Sequence, residues 1–281
     1  MPAALTIDLK GSRKFDNQNR ELIQYYLIEI SDALNEIFQP SLLKNLRFNG
    51  GDELQGLFKG INEAYLCLRF FRRMLFPLEI YAGIGEGEWT TVVKERDTFY
   101  QDGSAYHNAR EAIECAKREA DYTALLSSKN INDIRWNAMM NAGFRFINRN
   151  TVFQNDLAIL LECIFPIHRD GMMDFTRLLS LLDIIKIRNS ISTLPKKAER
   201  NLQLLEDYNN DSNIWKEIDT KGQANNNWTS LVYKYSHPYS AASIIAKLTG
   251  ISRQSIDVAL KASNVYVERA VAMALIDMNA C

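Results

Sequence analysis

The sequence predicts an α+β protein: a β-α-β-β-α-β unit built on an antiparallel sheet, followed by an all-α region that ends in a helix-turn-helix. Three observations carry that expectation. "AALTIDL" at residues 3–9 alternates Leu5, Ile7 and Leu9 with small or polar residues, as a half-buried strand does. "LKNLRFNGGDELQGLFKG" at residues 43–60 sets two short apolar runs around a Gly-Gly turn, the pattern of a hairpin. "IIAKLTGISRQSIDVALKAS" at residues 244–263 has Ala246, Gly250, Ile251 and Ile256 where two helices joined by a tight turn need them.

The other elements follow in order. "KGSRKFDNQN" breaks the first strand, and residues 18–38 carry Ile23, Leu27, Ile30, Leu34 and Ile37 at steps of three and four, one face of a helix. "INEAYLCLRFFRRML" predicts a second helix, with Leu66, Phe70 and Met74 inward and Arg69, Arg72 and Arg73 outward. "PLEIYAGIGEGEW" predicts a fourth strand. The order β-α-β-β-α-β is the ferredoxin-like split pattern, in which the first strand lies beside the central hairpin. A further strand at Trp89–Val93, a helix from about Gly103 and an apolar run at Tyr122–Leu126 complete the unit. From about residue 130 the pattern is helical, and "EDYNNDSNIWKEIDTKGQANNN" is an irregular, Asn- and Asp-rich connection in which Trp215 and the following Trp228 are expected to reach a core. The expected organisation is 1–128, 129–225 and 226–281.

Composition bounds the function. The 281 residues are 47% apolar and carry 33 basic against 34 acidic residues, a net charge of -1, so bulk charge selects no polyanionic partner. Cys67, Cys115, Cys163 and Cys281 are scattered, and His107, His168 and His237 are isolated, which fits reduced thiols and no zinc site. The start "MPAALTIDLKGSRK" turns charged too soon for a signal peptide or a membrane span, so the expectation is a cytoplasmic protein.

The chemistry concentrates on acids. Asp8 sits near the end of the first strand, and Asp52 and Glu53 stand at the hairpin turn. In a sheet where those strands are neighbours, all three carboxyl groups converge on one edge. Carboxylates brought together repel unless a cation lies between them, and an all-oxygen site suits Mg²⁺ or Mn²⁺ with waters and phosphates completing the shell. The loop after Asp8 adds backbone N–H groups at Gly11, a hydroxyl at Ser12 and charge at Arg13 and Lys14, all useful around a nucleoside triphosphate. The alternative is a solvated hairpin tip, since Gly-Asp pairs are common turn letters.

These residues resemble the palm-type nucleotidyl cyclases. "GGDEL" (Gly50–Leu54) matches the signature of GGDEF diguanylate cyclases. "IDLKGS" (Ile7–Ser12) resembles a motif of class III adenylate and guanylate cyclases, and "GIGEGE" with "DGSAYHNAREA" resembles their later blocks. The chain as a whole, a cyclase-like front and a helix-turn-helix end, is similar to the SatD family of bacterial proteins. The cyclase resemblance implies that Asp8 and Asp52 hold metal, helped by the backbone carbonyl of Leu9. It also implies that Arg110 steadies the transition state. In an enzyme of that kind Glu53 is expected to support the two acids, and Gly50 and Gly51 to lie at the nucleotide. Tyr106 stands where class III enzymes carry an asparagine, Phe48 stands where adenylate cyclases carry a base-reading lysine, and the guanine-reading segment of diguanylate cyclases has no counterpart.

At the C-terminal end, Ser252 is a good N-cap, and the outward face of the second helix offers Ser252, Arg253, Gln254, Asp257 and Lys261, types that contact phosphates and base edges of double-stranded DNA. A helical hairpin used for packing is the alternative. The expectations are therefore a Mg²⁺-dependent nucleotidyl cyclase or transferase, a transcription regulator whose palm senses nucleotide, or an assembly protein that keeps the fold. A homodimer suits the first two.

Overall fold

The computed structural model describes residues 1–12, 15–48, 53–91, 101–119, 121–191 and 236–278. Over them the protein is α+β, with a mixed five-stranded sheet and helices. Strand β1 (Ala3–Leu9) is followed by α1 (Asn17–Ile37), β2 (Leu42–Phe48), β3 (Glu53–Phe58), α2 (Ile61–Leu75), β4 (Ile80–Glu86), α3 (Ser104–Arg118) and β5 (Ala124–Ser127). The helices α4 (Asp133–Asn148), α5 (Val152–Ile164), α6 (Ser180–Ser190), α7 (Ala241–Thr249), α8 (Arg253–Ala262) and α9 (Val265–Met278) follow. Two compact units divide the described residues, those within Met1–Asn141 and His168–Lys196 and those within Ala142–Ile167 and Lys197–Cys281.

In the first unit the strands lie in the order β2-β3-β1-β4-β5. β1 is antiparallel to both β3 and β4, and β4 is parallel to β5. Because side chains alternate along a strand, register assigns the faces. Ala4, Thr6 and Asp8 share one face with Leu57, Gln55 and Glu53 of β3 and with Gly85, Gly83 and Tyr81 of β4. The opposite face carries Leu5, Ile7 and Leu9, all buried, with Phe58, whose ring meets Phe38 edge-on at 6.3 Å. Phe38 in turn meets Phe70 of α2 at 6.1 Å, so α1 and α2 close that side. The side chain of Asp16 caps α1 by accepting from the Asn19 amide at 2.9 Å.

Two expectations change. Arg69, Arg72 and Arg73 do not face solvent: they are 0%, 1% and 1% exposed. Helical spacing identifies the apolar stripe of α2 but not what covers its other side, and here α1, α6 and the sheet all meet the helix. Arg72 shows how one guanidinium is accommodated, donating to the Leu78 carbonyl at 2.9 Å and lying over the Phe76 ring at 5.6 Å. Burial lowers its pKa to about 10 despite the nearby Glu79 carboxylate. The strand expected at Trp89–Val93 is also absent over Trp89–Thr91, where a single bridge joins Thr91 to Asp102, and residues 92 and 93 lie outside the described residues. Trp136, which no sequence pattern singles out, is 2% exposed and packs edge-on against Tyr65 at 5.4 Å. The Asn-rich connection with Trp215 and Trp228 lies outside the described residues, as does Cys281.

In the second unit a capping box of Thr151 and Gln154 starts α5, which meets α7 and α8, while α8 also meets α9. Among the described residues no helix is long and apolar enough to cross a membrane.

Candidate functional site

Helix α3 determines the geometry of the site. It lies along β4 and touches β5 and β1, on the face that carries Ala4, Thr6 and Asp8. That close approach requires bare backbone at Gly83 and Gly85. A Cβ on Gly85 would stand 2.0 Å from the Ala109 nitrogen, and one on Gly83 would stand 2.1 Å from the Ala109 oxygen.

Asp8, the penultimate residue of β1, is directly opposite Glu53, the first residue of β3. Directly opposed like charges on one sheet face destabilise it unless they are neutralised. Helix α3 supplies both counter-charges. Arg110 Nη2 donates to Glu53 Oε1 at 2.8 Å, and Lys117 Nζ pairs with Asp8 Oδ2 at 2.7 Å. Positions 110 and 117 are two helical turns apart, which places both cations on the same side of α3. Lys117 has a second carboxylate, Glu114 of its own helix, at 3.2 Å. The side chains of Asp8, Glu53 and Lys117 are 21%, 14% and 28% exposed, so the group borders solvent without being immersed in it.

The electrostatics follow from this half-burial. Burial pushes the Glu53 carboxyl up from its ordinary pKa and the Asp8 charge adds to the push, against the pull of Arg110 and Lys117. Burial lowers the Lys117 ammonium, but its bonds to Asp8 and Glu114 outweigh that and leave it raised. Because the folded chain holds the Glu53 proton more tightly than the unfolded chain, ionised Glu53 costs stability above its folded pKa, and the cost fades as the pH falls through it. Glu53→Gln is therefore expected to unfold at a higher temperature than wild type at pH 7, with the gain shrinking in titrations towards pH 4. If Glu53→Gln were instead less stable than wild type at pH 7, the Arg110 bond would outweigh burial.

Of the residues expected at a nucleotide site, the structure brings together Asp8, Glu53 and Arg110. Leu9 ends β1 with its side chain on the opposite, buried face. Gly11 adopts a left-handed φ of 74° in the turn that leads to Ser12. The cation of the preceding Lys10 pairs with Glu79 at 2.9 Å, over the ring of Tyr81 at 5.3 Å. Arg13, Lys14, Gly50, Gly51 and Asp52 lie outside the described residues. Lys117 is the residue that sequence reasoning missed; its only signal is the spacing of seven from Arg110. Tyr106, one turn before Arg110, is 6% exposed in a cluster with Ala4, Leu57, Ala105 and Ala109. Burial pushes its hydroxyl pKa up, and the hydroxyl has no hydrogen-bond partner among the described residues.

Could these residues hold a divalent cation? Among the described residues no three His, Cys, Asp or Glu side chains form a metal-binding group. The donor chemistry at Asp8 nevertheless fits a hard cation. Its carboxylate is partly open, and the Lys117 ammonium stands against it as a cation of the chain's own.

In the second unit Gly250 ends α7 with a left-handed φ of 66°. Ser252 caps α8, its hydroxyl accepting from the Ser255 amide at 3.2 Å, while Ile256 and Leu260 are buried. Ser252, Arg253, Gln254 and Lys261 are exposed. Lys261 is paired with Asp257 at 2.6 Å, towards the C-terminal end of α8, whereas Arg253 stands at its first residue.

No curated protein and no solved structure matches the chain. The family model of the SatD family matches residues 3–164, from β1 to the end of α5 and more than half of the sequence. The match takes in the strand of Asp8, the hairpin strand of Glu53 and the helix of Arg110 and Lys117, and on that ground the chain belongs to the SatD family.

Proposed function

We propose that the chain is a nucleotide-binding regulatory protein. In this reading a ferredoxin-like βαββαβ palm binds a nucleoside triphosphate with Mg²⁺ at the Asp8–Glu53 edge, and a helix-turn-helix formed by α7 and α8 binds double-stranded DNA. The observation that carries it is the meeting of Asp8 and Glu53 across two neighbouring strands with Arg110 and Lys117 reaching them from α3. Acids at the edge give a hard-oxygen site, and the two α3 cations are of the kind that bind phosphate oxygens. The order β2-β3-β1-β4, with β1 antiparallel to both neighbours, supports the palm. The Ser252 cap and the exposed Arg253 and Gln254 support the DNA-binding end.

Binding has more support than turnover in this reading. Where the resembled class III enzymes carry an asparagine, this chain has Tyr106, enclosed by apolar neighbours and without a partner for its hydroxyl among the described residues. The metal, when bound, supplies charge neutralisation of the triphosphate. Asp8 orients it, Arg110 and Lys117 contact phosphate oxygens, and Arg253 contacts DNA.

Thermal unfolding of the full chain with each nucleoside triphosphate, with and without Mg²⁺, tests the palm. Ligand at ~100 times Kd is expected to add about 2.7 kcal/mol. That shift should need Mg²⁺ and be lost in Asp8→Ala. No shift with any triphosphate would sink the nucleotide reading. Fluorescence anisotropy with duplex DNA tests the other end: binding should weaken with salt and in Arg253→Ala.

A further inference from the structure

The Asp8 carboxylate is already neutralised by a cation that belongs to the chain. Lys117 Nζ lies 2.7 Å from Asp8 Oδ2 and 3.2 Å from Glu114 Oε1, so it has two carboxylates within reach of one side chain. Asp8 stands on the sheet and Glu114 on α3, one turn before Lys117, and the Glu114 side chain is 53% exposed. Glu53, opposite Asp8, is held by Arg110. Among the described residues the cluster has three carboxylates and two cations, one net negative charge, which gives little attraction for a bare divalent ion.

We propose that Lys117 is a built-in competitor for the metal position at Asp8, which ties cation entry to the arrival of the triphosphate. This rests on the nucleotide reading above. With no ligand, the ammonium occupies Asp8 and opposes binding of a metal alone. When metal and triphosphate enter together, Lys117 leaves Asp8, keeps Glu114 as a partner and turns its charge to the phosphates. The two ligands then bind synergistically, and a free divalent cation at cellular concentration does not trigger the protein. No covalent bond is made or broken in this exchange: the Lys117–Asp8 ion pair is given up, and the triphosphate supplies the negative charge that the ammonium then faces.

The test is Mn²⁺ binding to the full chain without nucleotide, read as the loss of the free-ion electron paramagnetic resonance signal. Lys117→Met is expected to bind Mn²⁺ roughly tenfold more tightly than wild type, within the range of about 5- to 150-fold typical of coupling between ligands. Lys117→Arg should stay near wild type. Lys186→Met, which removes the same charge from the exposed face of α6, should change nothing. Adding Asp8→Asn to Lys117→Met should abolish the gain. Equal affinities for wild type and Lys117→Met would overturn the inference while leaving a metal site at Asp8 intact. Failure of every triphosphate with Mg²⁺ to raise the melting temperature of wild type would instead overturn the nucleotide reading, and this inference with it.

Discussion

Gly85→Ala is expected to destabilise the first unit by at least about 3 kcal/mol, beyond the usual cost of overpacking with one methyl group. Its Cβ would stand 2.0 Å from the nitrogen of Ala109 and 2.2 Å from the oxygen of Ala105, and both are backbone atoms of α3. A flexible side chain could turn away from such a contact, but a helix backbone moves only as a body. Gly83 faces the same constraint, with the Ala109 oxygen at 2.1 Å and the Ile113 nitrogen at 2.6 Å. The expected fall in Tm is roughly 6–12 °C, at about 2–4 °C per kcal/mol for domains of 150–250 residues. Gly143→Ala provides a comparison within the same protein. Among the described residues its new methyl, inside helix α4, would meet only Val271 Cγ1 at 3.5 Å, so this substitution should stabilise by about 0.5–1 kcal/mol. A Gly85→Ala protein that melts within about 2 °C of wild type would mean that α3 does not approach β4 this closely. The consequence reaches function, because lifting α3 withdraws Arg110 and Lys117 from Glu53 and Asp8, and the Mg²⁺-dependent triphosphate shift should be lost along with stability.

That dependence explains how much of the molecule is legible in the sequence. Local periodicity locates the elements well. "AALTIDL" is β1 from its first residue to its last, the steps of three and four in residues 18–38 mark α1, and Ser252 caps α8 as its position predicts. Periodicity is silent on what stands opposite a face. The arginines of α2 follow an amphipathic pattern and are enclosed all the same, because α1, α6 and the sheet surround that helix. The glycines of "GIGEGE" resemble a cyclase block, and Gly83 and Gly85 have a steric reason that only the packing of α3 reveals. Lys117 belongs to no motif, and its meeting with Asp8 needs the register of β1, the placement of α3 over it and the seven-residue spacing together. The meeting of Asp8 with Glu53 is inferable from topology alone, since a strand beside the hairpin brings its terminal acid to the turn.

The second large effect is expected at the C-terminal helices. Arg269 of α9 and Glu162 of α5 form an ion pair in which both side chains are 0% exposed, and Arg269 also donates to the Phe165 carbonyl at 2.7 Å. Phe165 is the C-cap of α5, so the guanidinium stands at the negative end of that helix as well as against a carboxylate. Removing one partner of a fully buried ion pair costs about 3–5 kcal/mol, whereas removing both and restoring apolar volume is often neutral. Arg269→Met should therefore unfold the second unit at much lower urea than wild type. Glu162→Leu combined with Arg269→Met should recover most of the loss, short of what the Phe165 carbonyl still lacks. A double variant no better than the single one would place the cost in packing around Arg269 rather than in the loss of the ion pair. Because α5 meets α8, the helix that carries Arg253, the single variant should also weaken DNA binding while the triphosphate shift of the first unit persists.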